Sequence, residues 1–107
     1  MSKYHNQKTT VGDKVFDSKR EADRYVELMI MQNMGVIKGL ECQKPYKLIK
    51  GKWRTGRPFS ITYKADFVYT IDGEIVVEDV KGYRTEVYKI KKKLMKAIYG
   101  IEIQEVT

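Results

Sequence analysis

Apolar residues recur at helical spacing directly after Ser18, and this pattern predicts the first helix of the chain. Ser18 and Glu21 stand three residues apart, as in a capping box, and Gly35 is a natural helix end. The residues expected to face the core are Ala22, Tyr25, Val26, Met29 and Ile30. Leu28, Met31 and Met34 widen this apolar surface. The added width serves either further core packing, which we favour, or a dimer contact.

An Asp72-Gly73 pair between two apolar runs predicts a tight β-hairpin. Its strands are expected at residues 59–71 and 74–81, with Gly82 ending the second strand. An earlier strand region is expected at about 37–49, where it is broken by a proline at position 45. A loop rich in Gly, Arg and Lys is expected between these strands, at residues 50–58.

A second amphipathic helix is predicted after Thr85, which caps it with Glu86 in the first turn, and Gly100 ends it. Its buried stripe is expected to consist of Val87, Ile90, Leu94, Ala97 and Ile98. The opposite side carries Lys89, Lys92, Lys93 and Lys96. A last short strand is indicated by the alternation of Ile101, Ile103 and Val106 with polar residues.

The first 16 residues read as a polar arm with a short hairpin around Gly12-Asp13. The remaining order of helix, three strands, helix and strand predicts an α/β (α+β) fold, in which helices flank a mixed central sheet. At 107 residues the chain is expected to form a single domain over residues 1–107. Its 42% hydrophobic content argues against disorder.

The hairpin register makes a geometric prediction about two carboxylates. If Ile71 pairs with Glu74, counting outward places Asp66 directly opposite Asp79, with their Cβ atoms about 5 Å apart on one face, and Lys81 projects from the same face. Two facing carboxylates repel each other, and a divalent cation such as Mg²⁺ relieves that repulsion. The alternative from charge spacing alone is that both acids lie at exposed strand ends and pair with Lys64 and Lys81.

Charge and cysteine content narrow the class of partner and compartment. The formal net charge of +7 favours a polyanionic partner, and we expect nucleic acid. Residues 44–64 contain no acidic residue and hold Lys44, Lys47, Lys50, Lys52, Arg54, Arg57 and Lys64.

The only cysteine, Cys42, offers neither a disulfide framework nor a zinc set, which points to a reducing cytosol. The apolar stretches are too short to cross a bilayer and no signal peptide is evident, so we expect no membrane association.

Three segments give the chain a family resemblance. They are residues 16–22, residues 63–67 and residues 77–82, which carry the helical glutamate, the first aspartate and the sequence Glu-Asp-Val-Lys-Gly. In this arrangement the chain resembles the PD-(D/E)XK nuclease superfamily, and most closely a small phage-borne family of uncharacterised proteins that is distantly similar to archaeal-type Holliday junction resolvases. Ala65 stands where the superfamily's name has proline, and the aspartate itself is in place.

The resemblance implies a restriction-endonuclease-like core and Mg²⁺- or Mn²⁺-dependent hydrolysis of phosphodiester bonds in DNA. The implied metal ligands are Asp66, Asp79 and the carbonyl of Val80, with Glu21 joining directly or through water. The alternative for Glu21 is a structural role alone, because the capping box accounts for a glutamate there without any metal. Lys81 is implied to orient the attacking water or to stabilise the developing negative charge. Glu78 competes for the acidic role, but strand alternation points it to the other face.

The expected DNA contacts come from the basic loop and from the start of the second helix. They are Lys52, Trp53, Arg54, Arg57, Lys64, Arg84, Thr85, Lys89 and Lys92. Trp53 either stacks on an unpaired base or anchors its loop. Glu41 and Gln43 either edge the site or are polar strand-surface residues, which we favour.

The function predicted from sequence is a metal-dependent DNA endonuclease of phage recombination or replication, in the cytosol of a bacterium or phage-infected host. Branched or junction DNA, flaps, ends and duplex all remain candidate substrates. A homodimer is expected, because one small domain carries one cleavage centre and a two-strand substrate needs two. The alternative is a non-catalytic nucleic-acid-binding phage protein with a nuclease-like fold, and a weaker option is a protein-binding factor that uses the methionine-rich first helix.

Overall fold

Two helices and six strands form within residues 8–81 and 83–107, the part of the chain that the computed structural model describes. In chain order they are β1 (Thr9–Val11), β2 (Lys14–Phe16), α1 (Lys19–Asn33), β3 (Lys38–Lys52), β4 (Pro58–Ile71), β5 (Glu74–Val80), α2 (Glu86–Tyr99) and β6 (Gln104–Val106). The central sheet has the order β3-β4-β5-β6, antiparallel except for the parallel β5/β6 pair. The predicted α+β class, with a mixed sheet and two helices, is confirmed.

Both helices begin at the residues that the sequence predicts. The Oγ of Ser18 accepts a hydrogen bond from the backbone N–H of Glu21 at 3.1 Å, and the Oγ1 of Thr85 accepts one from Tyr88 at the same distance. Gly100 follows α2 with φ +69°, a left-handed conformation that glycine adopts at little cost. These local signals therefore fix the helix ends independently of the packing.

The central hairpin has the predicted register. Asp72 and Gly73 have φ angles of +51° and +80°, as a two-residue hairpin turn requires, and Ile71 pairs with Glu74. The shorter hairpin around residues 12–13 is also present, between β1 and β2. Residues 1–7 and Gly82 lie outside the described part of the chain, so the expected end of the second strand at Gly82 is not observed.

The predicted buried stripes of the helices are correct only in part: Ala22 is buried, and Tyr25 and Leu94 pack against buried core residues. Val26 and Ile30 of α1 are 41% and 54% exposed, whereas Leu28, which was expected only to widen the stripe, is fully buried. In α2, Val87, Ile90 and Ile98 are 61%, 58% and 46% exposed and Ala97 is also exposed, while the buried residues are Tyr88 and Met95. Tyr88 and Met95 are seven residues apart and thus share a helix face. The face of α2 that packs against the sheet is therefore the one that carries Tyr88 and Met95.

Strand lengths also differ from the prediction. β3 runs through Pro45 without interruption, which its edge position permits because one side of the strand needs no hydrogen-bond donor. The predicted loop at 50–58 shortens to residues 53–57, because both of its flanks are paired strand. Of the expected last strand, only Gln104–Val106 is regular.

Two hydrophobic clusters hold the helices against the sheet. The cluster around α1 contains Phe16, Ala22, Leu28, Ile37, Phe67 and Tyr69. The cluster around α2 contains Leu48, Tyr63, Ala65, Val68, Val77, Tyr88, Met95 and Ile103. Helices on separate clusters leave one end of the sheet between them, and the candidate site lies there.

β3 and β4 both change sides between these clusters. In β3, Cys42 packs with the α1 cluster and Tyr46 with the α2 cluster; in β4, Phe67 belongs to the α1 cluster and Ala65 to the α2 cluster. Residues an even number apart on a regular strand share a face, so the alternation of each strand is interrupted. Both interruptions fall at the same cross-strand level.

Candidate functional site

Asp66 lies where the central hairpin opens. The β4/β5 pairing runs from Ile71↔Glu74 as far as Phe67↔Glu78 and then stops. Beyond it, the backbone N–H of Val80 donates to Oδ2 of Asp66 at 2.8 Å. The aspartate side chain thus takes the place of a strand carbonyl, and β4 and β5 separate at this point.

Asp79 is a buried carboxylate with two defined neighbours. It is 3% exposed, and its Oδ2 accepts a hydrogen bond of 2.6 Å from the hydroxyl of Tyr63. Its Oδ1 has no hydrogen-bond partner of suitable geometry and lies 3.0 Å from Nζ of Lys81. That ammonium also lies 4.4 Å from the centroid of the Tyr88 ring, an attractive cation–π arrangement. Lys81 is therefore held between an acid and an aromatic face.

Glu21 joins these acids from the first turn of α1. It is 8% exposed, and the side-chain amide of Gln43 donates to its Oε2 at 3.1 Å and to Oδ1 of Asp66 at 3.4 Å. Burial, reinforced by the charge of Asp66, raises the pKa of Glu21 to about 7. Burial, together with the charge of Asp79, raises the pKa of Asp66 to about 6. The three predicted acids are thus close enough to repel one another.

Gln43 is the site residue that the sequence reading undervalued. It has φ +55°, a left-handed conformation that is costly for a residue other than glycine. The flanking pairs Cys42↔Phe67 and Lys44↔Ala65 place it opposite Asp66, at the level where both strands change sides. No sequence signal reveals a positive φ at a glutamine. The conformation directs its amide at the two carboxylates, so we correct its interpretation from strand surface to site.

Glu78 points away from the site, as strand alternation predicts. Its Oε1 accepts a 2.8 Å bond from Nε of Arg24, its Oε2 accepts one of 2.6 Å from Nη2, and the hydroxyl of Tyr69 also donates to Oε2. The carboxylate is 3% exposed, so this pair ties α1 to β5 in the interior. The neighbouring acids of β5 therefore serve opposite sides of the sheet.

The carboxylates fit a hard divalent cation that is completed by water and substrate. Within residues 8–81 and 83–107, no three His, Cys, Asp or Glu side chains form a set that could hold a metal by themselves. Mg²⁺ is commonly bound by one or two carboxylates, with waters and phosphates filling the other positions. The repulsion among the acids is a feature that a cation would relieve, and Oδ1 of Asp79, which has the Lys81 ammonium nearby but no hydrogen bond of suitable geometry, could serve as a ligand. The Val80 carbonyl points to the same edge of β5 as its N–H, which donates to Asp66, because the N–H and C=O of one strand residue share an edge.

A pocket of about 420 Å³ adjoins this centre. Its lining includes Glu21, Val80 and Lys81, together with Ser18 and Arg20 at the start of α1. Glu21 also lines a second pocket of about 380 Å³, which lies between the β1/β2 hairpin and Gln43. Glu21 therefore borders open space on two sides, whereas Asp66 and Asp79 line neither of these two pockets.

The predicted DNA-binding residues do not form one surface. At the start of α2, Arg84 and Lys92 share the carboxylate of Glu105 at 2.5 Å and 3.1 Å, and the hydroxyl of Tyr88 donates to it at 2.8 Å. These partners hold the pKa of Glu105 down at about 2, with the hydrogen bond from Arg84 as the main cause. The sequence reading did not single out Glu105, since an exposed-looking acid in a short strand carries no distinguishing signal.

The other predicted DNA-binding residues at the start of α2 also have partners within the protein. Lys89 lies 3.2 Å from Glu86, and the hydroxyl of Thr85 caps α2. The second group of predicted contacts lies far along the β3/β4 hairpin and consists of Lys52, Trp53, Arg54 and Arg57, with Lys64 opposite Pro45. All five are exposed.

Among the described residues, neither helix has the length and apolar character needed to cross a membrane. No curated protein and no solved structure matches the chain. One family model matches residues 1–105, nearly the whole length. The chain therefore belongs to the family described as protein of unknown function DUF1064.

Proposed function

We propose that this protein is a metal-dependent DNA endonuclease with a restriction-endonuclease-like core of the PD-(D/E)XK type. The observation that carries the proposal is the junction where β4 and β5 separate. There Asp66 bonds the backbone of Val80, and Asp79 leaves one buried oxygen without a hydrogen-bond partner beside Lys81. Binding of DNA alone gains nothing from carboxylates that face phosphate, whereas metal-dependent hydrolysis uses them to hold the cation.

The residues of this junction take distinct roles in the proposed reaction. Asp66, Asp79 and the Val80 carbonyl would hold Mg²⁺ or Mn²⁺, with Glu21 as a direct or water-mediated ligand. When bound, such a cation polarises the scissile phosphate and lowers the pKa of a coordinated water. Lys81 places a positive charge beside the reacting phosphate and stabilises the negative charge that develops on it.

Tyr63 and Tyr88 fix the geometry of these two groups. The Tyr63 hydroxyl holds one oxygen of Asp79 and leaves the other available, and the Tyr88 ring restricts the Lys81 ammonium from the side of α2. Because the two tyrosines belong to the α2 cluster, the position of this helix is coupled to the position of the reacting groups.

Two features extend the proposal to assembly and compartment. One small domain carries one such centre, so cutting both strands of a junction or duplex calls for a homodimer. The free, half-buried thiol of Cys42 suits a reducing cytosol, in a bacterium or a phage-infected host.

The test is a cleavage assay on flayed, nicked, linear and four-way DNA with Mg²⁺, Mn²⁺ or EDTA. We expect cutting that requires the metal and is lost in Asp79→Ala and Asp79→Asn, while binding in EDTA persists or tightens because a negative charge is removed. Asp72→Asn is the matched control, since it makes the same change at the hairpin turn, where asparagine tolerates the positive φ. If the wild-type protein binds every substrate and cuts none with either metal, the protein is a binding module instead.

A further inference from the structure

The β3/β4 hairpin extends beyond the rest of the sheet as a two-stranded ribbon. β5 pairs with β4 only over residues 67–71, whereas β3 and β4 stay paired outward to Lys52↔Pro58. The last four pairs begin at Ile49↔Ile61, and the turn closes with the Trp53 N–H donating to the Arg57 carbonyl at 2.8 Å. We call residues 49–61 the basic arm.

The basic arm has an apolar face formed by alternate residues. Ile49 and Ile61 face each other and are 38% and 37% exposed, and Gly51 pairs with Phe59 on the same face. The Phe59 ring covers Gly51 so closely that an added Cβ would lie 2.6 Å from the ring. Trp53 continues this face at the tip, 5.1 Å from Phe59 between ring centroids, and remains 59% exposed. The exposed Trp53 ring therefore lies beside the half-buried Phe59 ring on one face of the arm.

The charge around this face has one sign. No acidic residue occurs between positions 42 and 65. The opposite face of the arm carries Lys50 and Lys52, and the turn adds Arg54 and Arg57, all of them exposed. An apolar aromatic surface with only cations around it is complementary to a polyanion that also offers flat apolar faces.

We propose that the basic arm binds unpaired DNA, with Trp53 and Phe59 stacking on bases and the surrounding cations contacting phosphates. In a continuous duplex the base faces are stacked on one another, so this aromatic face would meet only charged backbone. Unpaired bases at a branch point, flap or single-stranded end expose those faces. The proposal deepens the proposed function by naming the substrate class, but binding by the arm does not require the metal centre.

Trp53 is the only tryptophan of the chain, so its fluorescence reports on the arm directly. The intact protein is titrated in EDTA with a single-stranded oligonucleotide, a flayed duplex, a four-way junction and a blunt duplex. We expect strong quenching by the single-stranded and flayed DNA, quenching by the junction, and little by the blunt duplex at equal occupancy measured by anisotropy. Equal quenching by the blunt duplex, or none by the single strand, would overturn the proposal.

Substitutions separate stacking from charge. Trp53→Ala is expected to weaken binding to single-stranded and flayed DNA about 5- to 100-fold, with an effect on blunt duplex below about twofold. Gly51→Val, which displaces the Phe59 ring, is expected to act in the same direction. Arg54→Gln is expected to weaken binding and lower its salt dependence, whereas Lys38→Gln, an equal charge change at the other end of β3, leaves both unchanged. Equal effects of Arg54→Gln and Lys38→Gln would contradict phosphate contact by the arm.

The same measurements distinguish other outcomes. If a second copy of the chain covers the apolar face, Trp53 emission will depend on protein concentration in the absence of DNA, and Trp53→Ala will abolish a dimer in sedimentation. This pair of results would overturn the proposal. Because every titration is done in EDTA, a protein that never cuts DNA can still confirm the arm. A protein that cuts but shows no Trp53 response refutes the arm alone.

Discussion

Glu21→Gln is expected to stabilise the metal-free protein at neutral and alkaline pH. The pKa of Glu21 is raised from 4.5 to about 7 by its burial and by Asp66, so the folded state disfavours the ionised form. Each pKa unit corresponds to about 1.4 kcal/mol, and the shift therefore costs up to about 3 kcal/mol once Glu21 is ionised. Glutamine keeps the shape and still accepts the Gln43 hydrogen bond, but carries no charge.

The pH dependence has a definite sign. Because the folded-state pKa is raised, the stabilisation from Glu21 is fully present below about pH 4.5 and is lost as the pH rises through about 7. Asp66, whose pKa is about 6, acts in the same direction. Glu105 has the opposite shift, but its contribution is constant above its ordinary pKa of 4.5. Between about pH 5 and 8 the wild-type protein is thus expected to lose stability in EDTA.

Thermal unfolding followed by circular dichroism in EDTA measures this directly. Stability changes of 1 kcal/mol shift Tm by roughly 4–8 °C in a domain of this size, so Glu21→Gln is expected to raise Tm at about pH 8 by up to roughly 10–20 °C and to flatten its pH dependence. Glu102→Gln is the control, since Glu102 is exposed and its pKa is lowered by Lys96. If Glu21→Gln melts like the wild type at about pH 8, the acids are not in conflict and the case for a cation among them fails.

Three further predictions concern stability, metal binding and charge. In the same melting assay, Mg²⁺ at tenfold excess over its Kd is expected to stabilise the wild-type protein by about 1.4 kcal/mol and to leave Asp79→Asn unaffected. An equal response of the two proteins would exclude Asp79 as a ligand. Glu78→Gln is expected to lower the free energy of unfolding, measured in urea, by about 3 kcal/mol. This is the low end for a broken buried ion pair, because the Arg24 side chain is 21% exposed. A loss below about 1 kcal/mol would contradict the anchoring role. Glu105→Gln removes the carboxylate that pairs with Arg84. DNA binding is therefore expected to tighten and to depend more steeply on salt. An unchanged salt dependence would show that Arg84 does not reach phosphate.

Local signals made much of the fold predictable. The Ser18 and Thr85 caps and the Asp72-Gly73 turn depend on a few neighbouring residues, and each lies where the sequence places it. Helix rotation was not predictable, because it depends on how far each side chain must reach to the sheet. The fully buried Leu28 and the exposed Val26 differ little in apolarity and much in position.

The candidate site was predictable where it follows from strand register and not where it depends on strained backbone. Counting from the turn brings Asp66 and Asp79 to the same level, but the aspartate's bond to Val80 replaces regular pairing there. Gln43 enters the site through a positive φ that no pattern of residue types indicates. Its importance appears only when three strands and α1 are assembled.

The adjacency of Glu78 and Asp79 has a consequence for how substitutions in this chain should be interpreted. The two acids differ by one methylene group and one position, yet Glu78 anchors α1 while Asp79 faces the proposed centre. Loss of the Glu78 anchor is therefore expected to appear in an unfolding assay, whereas loss of the role proposed for Asp79 would appear in a cleavage assay. A survey that scores only folding would therefore miss the role that we propose for Asp79.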